Sequence, residues 1–293
     1  MKFFAARVGL PIVLLAALAA AGSPPPYFPP AMPAPRRDAL LPWNRIVTYY
    51  GNPLSKRMGI LGELPPEQMM AGLEKEAAAW RKADPLTRVR PGLELVATVA
   101  SDTPGPSGFY RTRMPDALIA KVIGWARSKG WLIILDIQVG HSNAKDEIER
   151  LRPFLESPDV HLALDPEFDM PAGIVPGRRI GTTDAKSVND AIALLASMIE
   201  KKRLPAKLLL VHRFTEGMLT NARAVKLDPR VQVVMVMDGY GSPAFKRTAY
   251  RIAIRKEPVQ FAGLKLFYKN DKPQMTPKEA LSLVPGPSVI IYQ

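Results

Sequence analysis

A closed (β/α)8 barrel in one domain, with the final helix absent, is the fold the sequence predicts, and three observations predict it. Strand-like and helix-like segments alternate through eight strands between residues 45 and 292. The strand-like segments are continuous apolar runs, such as Leu132-Ile133-Ile134-Leu135, Leu208-Leu209-Leu210-Val211 and Val233-Val234-Met235-Val236. Parallel strands covered on both faces read that way, whereas half-exposed antiparallel strands alternate. The alternating region spans about 250 residues, a usual length for such a barrel. A doubly wound open sheet is the rival topology, and the count of eight favours closure.

Residues 45–50 read as the first strand, and 65–83 as a helix opened by Pro65-Pro66. The second strand covers 93–100, and the second helix covers 115–129, stopped by Gly130. The third strand, 132–139, precedes a charged amphipathic helix over 143–156, capped by Ser142 or Asn143. The fourth strand, 160–164, leads to the longest helix, 183–202. After the fifth strand, 207–213, the stretch 216–225 forms no more than a short helix. The remaining elements are a strand at 231–237, a helix at 243–256, a strand at 262–267, a short helix at 277–283 and a strand at 288–292. The barrel domain therefore occupies 44–293.

Two segments precede it. Lys2 and Arg7 lead into an apolar stretch from Val8 to Ala21 that ends in Ala19-Ala20-Ala21. This is the pattern of a signal peptide over 1–21. The stretch is short for a spanning helix and Pro11 interrupts it, so no stable membrane span is expected after cleavage. The expected location is secreted, periplasmic or at the cell surface. Residues 22–43 hold Pro24, Pro25, Pro26, Pro29, Pro30, Pro33 and Pro35 and read as an extended linker.

The chain has 293 residues, of which 47% are hydrophobic, enough for a sizeable core. It has no Cys, which excludes disulfides, thiolate nucleophiles, Cys-ligated metals and a lipid-modified N-terminal Cys. The net charge of +13 favours an anionic polymer as a partner through the basic surface. No nucleic acid is expected, because export argues against it and neither an aromatic-basic RNA motif nor a dense basic recognition helix is present.

Barrels of this kind place their sites at the C-terminal ends of the strands, and polar residues gather there. The first strand ends in Thr48-Tyr49-Tyr50-Gly51-Asn52 and the second in Ser101-Asp102. The third ends in Asp136-Ile137-Gln138, followed by His141, and the fourth gives Asp165, Glu167 and Asp169. The later strands contribute His212-Arg213, Asp238-Gly239-Tyr240, Tyr268 with Asn270 and Asp271, and Tyr292-Gln293.

The segment Asp165-Pro166-Glu167-Phe168 is the most informative of these. Its acids, with Asp169, share one strand parity and should converge. Crowded carboxylates push their pKa values apart, which leaves one protonated near neutral pH. Glycoside hydrolysis needs such an acid beside the leaving oxygen and a second carboxylate for the oxocarbenium-like transition state. Glu167 is the candidate acid, tuned by Asp165, with Asp136 and Asp238 as candidates for the second carboxylate. Tyr49, Tyr50, Tyr240, Tyr268 and Tyr292 suit stacking on sugar rings, and Asp102, Gln138, His212 and Arg213 suit hydrogen bonding. Equally, His212 fits a core histidine, Arg213 fits an ion pair with one of the acids, and the tyrosines fit packing. The His residues lack zinc-ligand spacing, so neither metal nor cofactor is expected, although Asp136, Asp165 and Glu167 could together hold a hard cation.

Asp165-Pro166-Glu167 at the fourth strand, Ile46-Val47-Thr48-Tyr49-Tyr50-Gly51-Asn52 at the first and Met235-Val236-Met237-Asp238-Gly239-Tyr240 at the sixth resemble the chitinase-like glycoside hydrolases and related muramidase-like barrels. Ala163 and Leu135-Asp136-Ile137-Gln138 depart from the chitinase pattern. The resemblance implies a barrel with Glu167 as acid, acting on an envelope or extracellular polysaccharide such as a cell-wall glycan. A non-catalytic sugar-binding barrel and a cation-dependent phosphodiesterase are the rival expectations.

Overall fold

The structure, a computed structural model, describes residues 32–293; the expected signal peptide and the first part of the Pro-rich stretch lie outside the described residues. The barrel strands are β1 (Asn44–Gly51), β2 (Arg88–Ala100), β3 (Leu132–Ile137), β4 (Val160–Leu164), β5 (Lys207–Arg213), β6 (Val231–Met237), β7 (Phe261–Leu266) and β8 (Val289–Tyr292). All pair in parallel with their neighbours, and β8 returns to β1 with Ile46 opposite Val289 and Tyr49 opposite Tyr292. That pairing closes the barrel, and the rival open sheet is excluded.

The surrounding helices are α1 (Pro66–Ala83), α2 (Asp116–Arg127), α3 (Ala144–Leu155), α4 (Ala185–Lys202), α5 (Pro243–Tyr250) and α6 (Pro277–Leu281). Their starts obey local chemistry. Asn143 accepts from the Asp146 amide at 2.9 Å, Ser242 accepts from the Phe245 amide, and Thr276 and Glu279 form a reciprocal capping box. α5 continues as a π-helix over Arg251–Arg255. Between β5 and β6, 3₁₀ turns at Glu216–Met218 and Ala222–Ala224 stand where a helix would. Gly217 and the left-handed Asn221 (φ 55°) interrupt that stretch, which lacks a long apolar stripe.

Strand parity divides the core into two shells. Ile46, Val96, Ile134, Ala163, Leu210, Val234 and Ile291 fill the barrel. Val47, Leu95, Ile133, Leu162, Leu209 and Val233 point outward against helix faces such as Met69, Leu73, Ala77 and Trp80 of α1. Leu41, which falls within the Pro-rich segment by sequence, is fully buried and joins the inner shell. Its amide donates to Gln232 at 3.0 Å and its carbonyl accepts from the same side chain at 2.7 Å.

β2 starts at Arg88 rather than at 93, carries a bulge between Val96 and Thr98, and pairs at its end with a short antiparallel strand, Arg111–Arg113. Buried Glu147 of α3 anchors that strand through Arg111 and Arg113, both at 2.8 Å.

Candidate active site

The same parity that fills the barrel with apolar residues places a charged cluster at its C-terminal end. Tyr50 (β1), Glu94 (β2), Asp136 (β3), His212 (β5) and Lys265 (β7) point inward, and Gln138, Asp165 and Asp238 follow directly after their strands. His212 lies between two acids, Nε2 at 2.9 Å from Glu94 Oε1 and Nδ1 at 2.9 Å from Asp238 Oδ2. Lys265 Nζ is 3.2 Å from the same Asp238 oxygen and 3.5 Å from the centre of the Tyr50 ring. Tyr50 donates to Asp136 at 3.3 Å, and Gln138 donates to Asp165 at 3.0 Å.

Glu167 stands at the rim of this cluster, half-buried. Asp165 turns the chain beneath it by accepting from the Glu167 amide at 3.2 Å within the 3₁₀ turn Pro166–Phe168. Gly181 packs under that turn and donates to the Glu167 carbonyl at 2.7 Å. A Cβ at position 181 would meet the carbonyls of Pro166, Glu167 and Asp169 at 2.4 to 2.7 Å, so only glycine fits there.

The neighbours set the charge states. Burial, with Asp165 and Asp238 nearby, pushes Glu167 up to about 7. Burial raises Asp136 to about 7 against the opposing pull of His212, and burial also raises Asp165. For Asp238 burial acts upward too, but Lys265 and His212 outweigh it and hold the carboxyl below its usual value. Burial would strip the proton from His212, yet Asp238 and Glu94 hold it there well above the ordinary imidazole range. Lys265 is raised for the same reason, with Asp238 and Glu94 overcoming its burial. The cluster thus sets a carboxyl that keeps its proton near neutrality beside a carboxylate that is held ionised.

Glu167, Asp165, Asp238, Gln138, Tyr50 and Lys265 line a cavity of about 1040 Å³, shared with the aromatic side chains of Phe214, Tyr240, Phe245 and Phe267. Tyr240 and Phe245 are 61% and 54% exposed, large ring surfaces open to a ligand. A fully buried Lys246–Asp271 pair at 2.8 Å fixes the wall. Asp271 accepts from the Gly241 and Phe267 amides, both at 2.8 Å, which ties together the loops after β6 and β7.

Several residues expected at the site lie elsewhere. Tyr49 and Tyr292 have outward parity and pack between barrel and helices. Tyr49 meets Tyr268 hydroxyl to hydroxyl at 3.0 Å, Tyr268 donates to Glu76 at 2.7 Å, and Trp80 donates to Tyr292 at 3.0 Å. Arg213 also points outward. It donates to Glu257 at 2.6 Å and to two carbonyls of the following loop, not to the acid cluster. Asp102 is exposed on the loop after β2. Asp169 leaves the parity expected of it because the strand stops at Leu164; its isolated bridge is to Gly140. Asp136 does converge, but beneath the cavity floor rather than in its lining.

Sequence reading missed Glu94 and Lys265. Each sits at an inward position of an otherwise apolar strand, Leu93-Glu94-Leu95 and Leu264-Lys265-Leu266. An ionisable residue at a position that parity sends inside the barrel is the signal that identifies them.

Glu94, Asp136 and His212 each offer a ligand atom within 4.8 Å of the others. The residues fit a cation poorly: both His212 nitrogens already face carboxylates, and His212 and Lys265 supply positive charge in place.

No family model matches the chain, and no curated protein matches it. The kinship expected with chitinase-like and muramidase-like barrels is therefore carried by no family match. One solved structure it resembles is that of a ruminal GH26 endo-beta-1,4-mannanase, at 9% identity and a TM-score of 0.40, over 92% of this chain and 66% of the mannanase chain. This chain thus spans just under two thirds of the mannanase's length, and at that identity and score the likeness bears on neither chemistry nor substrate. The strand pairing defines the fold, a closed (β/α)8 barrel, and the side chains place a buried acid–histidine–lysine cluster at its mouth.

Proposed function

We propose that the barrel is a glycoside hydrolase of an exported protein, acting on an envelope or extracellular polysaccharide. The observation that supports this reading is the split pair: Glu167 raised to about 7 beside Asp238 held below its usual value, both on the wall of one cavity. Two carboxyl groups with separated pKa values are what glycosidic cleavage requires. Glu167 would pass its proton to the leaving oxygen as the bond from that oxygen to the anomeric carbon breaks. Asp238 would stabilise the positive charge that develops on the sugar until water bonds to the anomeric carbon and its proton returns to the Glu167 carboxylate. His212 and Lys265 do not touch the sugar in this scheme; they keep Asp238 ionised. Tyr240 and Phe245 offer exposed rings for stacking.

The test is release of reducing ends from a panel of cell-wall and extracellular polysaccharides, with Glu167→Gln run alongside. Loss of a positioned general acid should lower the rate by about 10²–10⁴-fold, while the variant still folds. Unchanged release by the variant would sink the assignment, and saturable binding without release by the parent would replace it with a non-catalytic sugar-binding barrel. The cation-dependent phosphodiesterase is disfavoured, because Glu94, Asp136 and His212, though close together, already hold the positive charge of His212 and Lys265. A chelator separates the two, since the hydrolase proposed here is unaffected by it.

A further inference from the structure

The loop after β1 carries a cation on the cavity wall that the hydrolytic scheme does not use. Residues 52–58 form that loop, and it is braced. The Asn52 amide donates to the Met58 carbonyl at 3.1 Å, and the Met58 amide donates to the Ser55 carbonyl at 3.2 Å. The Asn52 side chain ties the loop to β2 by donating to the Val96 carbonyl at 3.1 Å. Gly62 packs against it, where a Cβ would meet the Asn52 and Ser55 carbonyls at 2.2 and 2.3 Å. Arg57 is therefore presented from a fixed piece of backbone.

Arg57 is exposed and lines the cavity of Glu167 and Asp238. Its amide donates to Ser55 Oγ at 3.4 Å, but its guanidinium makes no hydrogen bond or ion pair among the described residues. Lys265, the other cation on that wall, is engaged by Asp238 at 3.2 Å. Asp165 accepts from Gln138 and from the Glu167 amide, and Glu63, further along the chain, pairs with Lys269 at 2.8 Å. The strand order puts Arg57 across the mouth from the acids. Glu167 and Asp238 follow β4 and β6, which flank β5, and β5 stands four strands from β1 either way round the ring. At about 1040 Å³ the cavity matches the largest pockets that enclose whole small ligands, so a ligand of more than one sugar ring can span it.

Resting on the hydrolase reading, we propose that Arg57 forms a subsite for a carboxylate-bearing sugar, which makes the substrate class an acidic polysaccharide containing uronate units. The guanidinium fork matches a carboxylate in bidentate geometry. One fork balances one carboxylate, whereas phosphate recognition draws clusters of arginine, and the neighbouring Lys56 does not line the cavity. Asn270, exposed on the loop after β7 and lining the same cavity, offers an amide donor. A carboxylate held at Arg57 is also kept across the mouth from the ionised Asp238. The net charge of +13 draws such a polymer in from a distance.

The experiment titrates the whole chain, carrying Glu167→Gln so that the sugars stay intact, with tetrasaccharides of mannuronate, galacturonate and hyaluronan. Each is run beside its carboxyl-reduced twin in a calorimeter at about 0.15 M salt, where loose surface attraction is screened. At least one acidic sugar should bind about tenfold or more tighter than its twin, the worth of a charge-assisted hydrogen bond. Adding Arg57→Gln should bring the twins within about twofold. Arg57→Lys should keep part of the preference, since lysine retains the charge and loses the fork. Lys56→Gln removes the same charge from beside the cavity and should leave the preference unchanged. Equal binding of every pair of twins, no binding of any, a preference that survives Arg57→Gln, an equal loss in Lys56→Gln, or tighter binding of glycerol phosphate oligomers would each overturn the proposal. Reducing-end release by the parent scores the hydrolase reading separately. Release without an acidic preference overturns the subsite alone. An Arg57-dependent preference without release upholds the subsite and overturns the hydrolase.

Discussion

Each end of the barrel buries a histidine and a lysine, and the two pairs are driven in opposite directions. At the N-terminal end, His161 Nδ1 accepts from the Leu208 amide at 3.1 Å, and Lys207 donates to the carbonyls of Ser157 and Val160 at 2.7 and 2.8 Å. Burial and Lys207 push His161 down to about 3, and burial pushes Lys207 down to about 8. At the C-terminal end, His212 and Lys265 are as deeply buried, yet both are raised. The difference is the company. The lower pair faces backbone dipoles, and the nearby Asp159 is taken by Arg127 at 2.7 Å. The upper pair faces Glu94 and Asp238. Burial is common to both ends and cannot assign charge; neighbours do. On the proposed reading the lower end serves stability and the upper chemistry, the division expected of the two faces of such a barrel.

The largest expected effect breaks this comparison directly. Lys265→Met leaves Glu94 and Asp238 short of a buried cation and should cost about 3–5 kcal/mol in stability. Lys207→Met orphans only carbonyl acceptors and should cost no more than about 1–3 kcal/mol. Urea unfolding of the pair checks the order, and equal costs would mean that the two ends are electrostatically alike. Hydrolysis should also fall in Lys265→Met alone, because Asp238 loses part of what keeps it ionised.

A smaller effect is read in the pH profile. In the proposed mechanism Glu167 serves as the acid only while protonated, and its pKa is raised to about 7. Above that pH, kcat/KM should fall about tenfold per unit. Asp238 is held low, so the acid side should stay flat until well below the usual carboxylate range. A profile that rises through pH 7 would reverse the two roles.

The lower end carries its own pH signature. Unfolded, His161 takes up a proton below about 6.5; folded, it does so only near 3. Its contribution is therefore present above 6.5 and lost as pH falls towards 3, at about 1.4 kcal/mol per unit. Between pH 7 and pH 5 the parent should lose about 2 kcal/mol more than His161→Asn, whose side-chain oxygen can still accept from the Leu208 amide. Unfolding curves at the two pH values measure this whatever the variant costs at either one.

Most of the fold was legible because buried parallel strands announce themselves as apolar runs and the helices between them keep their caps. The eight strands fall where the sequence placed them, with β2 extended backward. The site was legible in part. Asp165, Glu167, Asp238, Gln138 and Tyr240 reach one cavity because they follow the strand ends, where sequence reading looked for them. Glu94 and Lys265 escaped because they precede the strand ends and read as interruptions of apolar runs. Arg213, Tyr49 and Tyr292 were misplaced for the converse reason. They lie at the correct ends, but on the outward parity, and position along a strand says nothing of the face until the strand is in register. Applying parity outward from Ile46 would have separated Tyr49 from Tyr50.

That pair gives the smallest effect and the sharpest test of parity. Tyr50 donates to Asp136 inside the cluster at 3.3 Å, so Tyr50→Phe should slow hydrolysis. Tyr49 bonds Tyr268 on the far side of the strand at 3.0 Å, so Tyr49→Phe should cost about 1 kcal/mol of stability and leave hydrolysis unchanged. Helix α1 records the same contact: Gly72 sits mid-helix where a Cβ would come within 2.9 Å of the Tyr49 hydroxyl. Glycine there costs about 1 kcal/mol relative to alanine in helix propensity, and the hydroxyl is what opposes its replacement. Gly72→Ala should therefore destabilise the parent but stabilise the Tyr49→Phe background. A double-mutant cycle with no coupling between positions 49 and 72 would show that Tyr49 does not face α1, and its exclusion from the site would fall with it.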